Sequence, residues 1–262
     1  MNNLRGVYTI WYRDILRFWH DKMRMMGTIT LPLLFLFVFG SGLSARMGFL
    51  APGVDFAKFI FPGIIGMTVL MSSFMAGVSV VWDREFGFLK EVLVAPISRA
   101  SVAVGKALGA ATVALFQGML ILFFAPLIGV SFSAGTVLAL LPLMLLLAVS
   151  MGSLGILLAT RIRSMEAFQA VMQMMMFPMV FLSGVFFPLE GLPVWMGILV
   201  KINPATYGIA PIRQVVLGAS QDSSFGINVF GHAMSIWDNI AVLTIFGAVM
   251  ILLAMWSFGN QE

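Results

Sequence analysis

Apolar runs of roughly 17–25 residues, each long enough to cross a bilayer, recur about six times along this chain and constrain its fold more than any other feature. Sixty per cent of the 262 residues are hydrophobic and the mean hydropathy is +1.02, against about 45–50% apolar residues in an ordinary soluble domain. The chain therefore reads as an all-α integral membrane protein. The runs fill most of the sequence and leave no room for a separate soluble catalytic domain. They place six transmembrane helices at about residues 27–43, 59–81, 102–128, 135–159, 167–187 and 235–258, within one transmembrane domain over 27–262.

Residues 1–26 precede that domain. Tyr8, Trp11, Tyr12, Ile15, Phe18, Trp19 and Met23 recur at helical spacing, with Arg13, Arg17, His20, Asp21 and Arg24 on the other face. This pattern predicts an N-terminal interfacial amphipathic helix, rings at headgroup level and arginines toward anionic lipid. Five basic residues and no continuous apolar core exclude a cleavable signal peptide. Residues 188–217 are apolar but interrupted by Pro188, Gly191, Pro193, Asn203-Pro204, Gly208 and Pro211. Broken backbone at membrane depth survives only where protein or water covers it. The stretch is expected to be a re-entrant pair of half-helices, about 192–202 and 206–217, before span six, with Glu190, Lys201 and Arg213 near the interface or in a polar vestibule.

Six spans put both termini on one side. If that side is cytoplasmic, eleven of the fifteen Lys and Arg residues lie inside and only Arg46, Lys58, Lys201 and Arg213 lie outside. This satisfies the positive-inside rule and places a multi-pass protein in the cell membrane. The net charge of +4 is thus a topology signal, and no nucleic-acid partner is expected.

The densest charge cluster lies between spans two and three. Asp83, Arg84, Glu85, Lys90, Glu91 and Arg99 fall within seventeen residues of a chain that is 10% charged, and such a stretch is expected to emerge into water. Phe86, Leu89, Val92 and Leu93 recur at helical spacing, Pro96 stops the helix, and Ser98 can cap the next one. A solvated membrane loop and a helix that receives force from a soluble partner both fit this pattern.

Catalytic chemistry is sparse. Gly105-Lys106 is not a Walker A loop, Leu182-Ser183-Gly184 reads as packing, and there is no His-Glu-x-x-His pattern. The two histidines, His20 and His232, lie far apart, and Glu166, Glu190 and Asp238 each fall near a span end. A proton-driven carrier buries such a group inside a span, so neither a pump nor a membrane enzyme is favoured. For a lipid-modifying enzyme, Glu190 with His232 is the only candidate acid–base pair. No cysteine is present, which excludes disulfides and thiolate sites. The 21 methionines, Met172 and Met174 to Met176 among them, read as adaptable packing or binding surface rather than copper ligands. Gly105 and Gly109 read as a close helix contact inside the subunit. No span carries a stripe of charge, so Phe74, Met75, Phe177 and Phe181 are candidate walls of a path for an amphipathic or lipid-linked solute.

The chain resembles the membrane permeases of ABC-2-type exporters, such as daunorubicin-resistance and nodulation-factor permeases. The resemblance rests on Phe61-Pro62-Gly63, on Glu85-Phe-Gly-Phe-Leu-Lys-Glu-Val-Leu-Val-Ala-Pro-Ile-Ser-Arg99 with Gly105-Lys106, and on Phe181-Leu-Ser-Gly-Val-Phe-Phe-Pro188, Leu192-Pro193 and Asn203-Pro204-Ala-Thr-Tyr207. It implies a permease homodimer or heterodimer that binds two copies of a separate ABC ATPase. The partner would use ATP and magnesium, and this chain would hold no cofactor and no catalytic or metal site. It further implies a cytoplasmic coupling helix comprising Arg84, Glu85, Phe86, Phe88, Leu89, Lys90, Glu91 and Pro96. Phe86, Phe88 and Leu89 would be its apolar anchors. Pro188, Glu190, Pro193, Asn203 and Pro204 are the expected elements of a re-entrant gate. An importer-type permease is the nearer alternative, though its ATPase-contacting loop usually lies later in the chain; a non-transporting scaffold is the more distant one.

Overall fold

The computed structural model describes residues 2–42, 56–87, 98–130, 132–162, 164–189, 191–217, 227–229 and 232–259. Helix α1 (Asn2–His20) is followed after one residue by α2 (Lys22–Gly42). Next come α3 (Phe56–Phe74), α4 (Ala76–Glu85) and α5 (Arg99–Phe123), then a 3-10 turn over Ala125–Ile128. The chain continues through α6 (Ala134–Arg161), α7 (Met165–Phe181), α8 (Val194–Ile202), α9 (Pro204–Leu217) and α10 (Ile236–Gly259). The strands β1 (Asn228–Val229) and β2 (His232–Ala233) form an antiparallel pair with Asn228 opposite Ala233.

Four helical stretches among the described residues are long and apolar enough to cross a bilayer: Ala57–Glu85, Arg99–Leu127, Ala134–Arg161 and Ile236–Phe258. The apolar part of α2 is shorter, Met25–Val38. Helix α7 has 17 residues and stops at Phe181 instead of running to 187. The backbone there enters a turn in which Gly184 takes φ 81°, a conformation that opposes continued helix. The expected span 59–81 lies within the stretch Ala57–Glu85, in which Met75 separates α3 from α4 while keeping helical angles, φ −62° and ψ −9°.

Serine side chains define three helix starts. Ser98 accepts from Ser101 N–H at 3.1 Å, Ser133 from Thr136 N–H at 3.1 Å, and Ser164 from Ala167 N–H at 3.2 Å. Each satisfies a donor that the first helical turn leaves open. Pro32, Pro62, Pro142, Pro178 and Pro211 lie inside helices, which helices in a bilayer tolerate when neighbours cover the freed carbonyls.

Helix α6 is the hub, packed on by α3, α4, α5, α9 and α10. Its core face carries Leu140, Met144, Leu147, Met151 and Ile156, all buried. Helix α1 lies along α5, and α2 lies against α3. Backbones approach closely where the end of α3 and the start of α4 cross α6: a Cβ on Gly155 would lie 2.6 Å from the Phe74 carbonyl oxygen, and one on Gly77 would overlap the backbone of Gly155. Outer faces remain apolar, with Trp237, Ile245, Leu252 and Trp256 exposed along α10.

Gly155→Ala should therefore destabilise the bundle by about 1–3 kcal/mol through overpacking. Gly197→Ala, at an α8 site with no heavy atom within 4 Å of the added methyl, should stabilise it by up to about 1 kcal/mol. Thermal melting in a single detergent compares the two.

Candidate functional site

The end of α4 carries three consecutive ionised residues, and each grips a different part of the bundle. Asp83 is only 6% exposed and Lys106 of α5 only 2%. The Lys106 ammonium bonds Asp83 and the Ser79 hydroxyl and lies 3.5 Å from Asp14. Arg13 of α1 donates to Asp83 at 2.6 Å and to Asp14 at 3.2 Å, and Arg17 approaches Asp83 at 3.5 Å. Burial alone would push the Arg13 guanidinium toward the neutral form, but Asp83 and Asp14 outweigh it and hold its pKa above the ordinary value.

Two expectations are corrected by this cluster. Asp83 does not emerge into water, because two cations compensate its charge inside the protein. Arg13 and Arg17 turn onto Asp83 rather than toward anionic lipid, while Tyr8, Tyr12 and Trp19 of α1 stay exposed. Helix α1 seats closely enough for these contacts because a Cβ on Gly105 would lie 2.9 Å from Ile10, and one on Gly109 would lie 3.1 Å from Asp14. The two glycines thus pack α5 against α1 within the subunit. Trp11 Nε1 adds a hydrogen bond to Thr112 at 3.0 Å.

Arg84 turns the other way. Its guanidinium donates to the carbonyls of Ala159 at 3.2 Å, Ile162 at 3.0 Å and Thr160 at 3.3 Å, capping the negative end of α6. Glu85 accepts from Met165 N–H at 2.8 Å, at the positive end of α7. Phe86 follows, 72% exposed and stacked on Trp82 at 5.6 Å. Gly87 then takes φ 76° and turns the chain. Phe88, Leu89, Lys90, Glu91 and Pro96 lie outside the described residues. At the far end of that segment, Ser98 N–H donates to Asn3 of α1 at 3.1 Å and Arg99 to the Phe258 carbonyl of α10 at 3.4 Å.

The residues expected at the re-entrant gate form a second assembly. Pro193 precedes α8 and Pro204 opens α9, with Asn203 between the two helices. The Asn203 amide donates to the Met179 carbonyl of α7 at 2.8 Å, and its oxygen accepts from Ala205 N–H at 3.1 Å. Tyr207 and Thr206 bond back to the carbonyls of Lys201 at 2.6 Å and Val200 at 3.0 Å, closing the α8–α9 hairpin. Pro188 lies in the turn after α7, and Glu190 lies outside the described residues. Arg213, expected near the interface or in a polar vestibule, is fully buried within the protein: it donates to the Gly184 carbonyl and packs its guanidinium 4.3 Å from the Phe59 ring centroid. Its partners hold it there, with the ring face supplying cation–π attraction. His232 faces Asp238 at 3.2 Å in an exposed pair.

Between α2, α3 and α7 runs an apolar groove of about 360 Å³, within the span of about 300–1,000 Å³ usual for small-molecule sites. Met75, Phe177 and Phe181, expected as path walls, line it together with Leu31, Phe35, Met71 and Met176. Phe74 does not; it is fully buried, packed where α6 passes at Gly155.

Helices long and apolar enough to cross a bilayer thus pack around a cavity, with a charged knot beside it. The sequence profile of the ABC-2 type transporter family matches residues 5–217, and the chain belongs to this family. It is similar to the transport permease ycf38 of Cyanophora paradoxa, 29% identical over 236 residues, covering 87% of this chain and 80% of that protein. Escherichia coli K12 YadH, named an inner membrane transport permease, is 28% identical over 232 residues, 84% of this chain and 88% of its own length. E. coli K12 YbhR, whose name describes a multidrug ABC transporter permease, is 29% identical over 199 residues, 75% of this chain and 51% of YbhR. The chain is thus a multi-pass transmembrane permease subunit, and its family implies association with an ABC ATPase.

Asp83 tests the knot. Asp83→Asn leaves buried Lys106 with only Asp14, 3.5 Å away, as a counter-charge and should destabilise the protein by up to about 3–5 kcal/mol, the loss seen when a buried ion pair loses one partner. The double variant Asp83→Leu with Lys106→Met should regain much of that loss, since Arg13 still holds Asp14. Chemical denaturation in detergent measures both.

Proposed function

We propose that this chain is the permease of an exporter that moves an amphipathic, drug-like or lipid- or glycan-linked solute out of the cytoplasm. Two permeases, identical or different, bind two copies of a separate ATPase that uses ATP and magnesium. In this reading α2, α3–α4, α5, α6, α7 and α10 are six spans in the inner membrane, with both termini cytoplasmic and α8–α9 dipping in as the re-entrant pair. The distribution of positive charge supports the orientation. The name of YbhR supports a drug-like cargo, and the groove supports an apolar one.

The observation that carries the reading is the anchorage on both sides of residues 88–97. Asp83, Arg84 and Glu85 tie its start to α1, α5, α6 and α7, while Ser98 and Arg99 tie its end to α1 and α10. A segment anchored at both ends this way moves with the bundle when an ATPase dimer closes on it, and the groove changes access from one side to the other. Phe86, Phe88 and Leu89 are its apolar contacts with the ATPase, and Glu85, Lys90 and Glu91 its polar rim. The pair α8–α9, with Pro188, Glu190, Pro193, Asn203 and Pro204, closes the outer end of the path.

Phe86→Asp and Leu89→Asp should each weaken co-purification with the ATPase by at least about tenfold, the loss expected at a binding hot spot, and reduce transport in proportion. Unchanged association together with unchanged transport rejects the coupling role. Because the chain has no native cysteine, single thiols from Leu192 to Leu217 report the gate directly. Their labelling from outside should depend on nucleotide state, and free labelling in every state refutes gating.

A further inference from the structure

The charged knot and the apolar groove are neighbours. A recess of about 40 Å³ is bounded by Asp14 and Arg17 of α1 and by Ser79 of α4, and Ser72 and Met75 line both the recess and the groove. An extended ligand passing Ser72 has one end among thioethers and rings and the other among ionised groups. On the apolar side Met67, Met71, Met75, Met172 and Met176 face the cavity. Such flexible side chains accommodate apolar chains of varied shape rather than reading polar groups.

Charge at the polar end is uneven. Two carboxylates, Asp14 and Asp83, meet three cations, Arg13, Arg17 and Lys106. Arg13 contacts both carboxylates, and so does Lys106. Arg17 reaches Asp83 only at 3.5 Å and otherwise lies 4.8 Å from the Trp82 ring centroid. The cluster carries one net positive charge, and Arg17, its most loosely paired cation, lines the recess. A partly desolvated cation with a weak partner favours an anion beside it.

We infer that recess and groove form one site for a single-chain anionic amphiphile, its head at Arg17 and its tail between α2, α3 and α7. The inference rests on the groove being the transport path and adds the sign of the cargo's head.

The chain in nanodiscs of zwitterionic lipid, loaded with a fluorescent alkyl phosphate, tests it by displacement. Dodecyl phosphate should displace the probe at about tenfold lower concentration than dodecyltrimethylammonium, a difference near 1.4 kcal/mol, and inorganic phosphate should not displace it. Arg17→Gln should bring the two amphiphiles within about threefold, well under one tenfold step, while Arg17→Lys retains the preference and both variants stay monodisperse. Met71→Trp should block binding of either amphiphile. Equal displacement by the cation, or an unchanged preference in Arg17→Gln, overturns the inference. Full displacement by inorganic phosphate would assign a free-anion site instead. Absence of saturable binding also overturns it and points to a second copy covering the groove. If Met71→Trp abolishes ATPase-driven transport while the wild type shows no head-charge preference, the path stands and the anionic head does not. If Met71→Trp transports normally, the path reading itself falls.

Discussion

One carboxylate, Asp83, decides how the cytoplasm-facing end of this bundle can be built in the proposed orientation. A charge buried alone is among the least tolerable groups in a protein interior. Its ionised state therefore demands that α1 and α5 stay where Arg13 and Lys106 can reach it. Those demands align the rest. Glycines at 105 and 109 let α1 lie close enough on α5, and the same helix end then presents Arg84 to the carbonyls of α6 and Glu85 to the amides of α7. Three adjacent residues on one helix face three ways, as side chains about 100° apart around an α-helix must.

Much of the helical order was legible because bilayer-length apolar runs and their proline and glycine punctuation are local signals. The runs read at 135–159 and 235–258 correspond to α6 at Ala134–Arg161 and α10 at Ile236–Gly259. The broken stretch read as 192–202 and 206–217 corresponds to α8 and α9, Val194–Ile202 and Pro204–Leu217. What escaped was set by distant partners. Asp83 closes an apolar run, and such a charge reads as solvated until Arg13, seventy residues away, is known to meet it. The packing of Arg213 escaped for the same reason, since nothing in its neighbourhood announces Gly184 and Phe59 as its surroundings.

The groove shows the same division. Met75, Phe177 and Phe181 face it, whereas Phe74, one residue from Met75, faces the core. One residue turns a helical side chain by about 100°. Composition thus identified an apolar wall, but only the packing partners decided which residues form it.

The joint between α1 and α2 consists of one residue, Asp21, whose N–H still bonds back to the carbonyls of Arg17 at 3.1 Å and Phe18 at 3.2 Å. The Met25 N–H in turn bonds the Asp21 carbonyl at 3.0 Å, so the joint is hydrogen-bonded on both sides. Helix α1 is clasped by the knot around Asp83, and α2 forms one wall of the groove through Leu31, Pro32 and Phe35. Because the two helices share this joint, a displacement of the clasped helix would be passed to the helix that lines the groove.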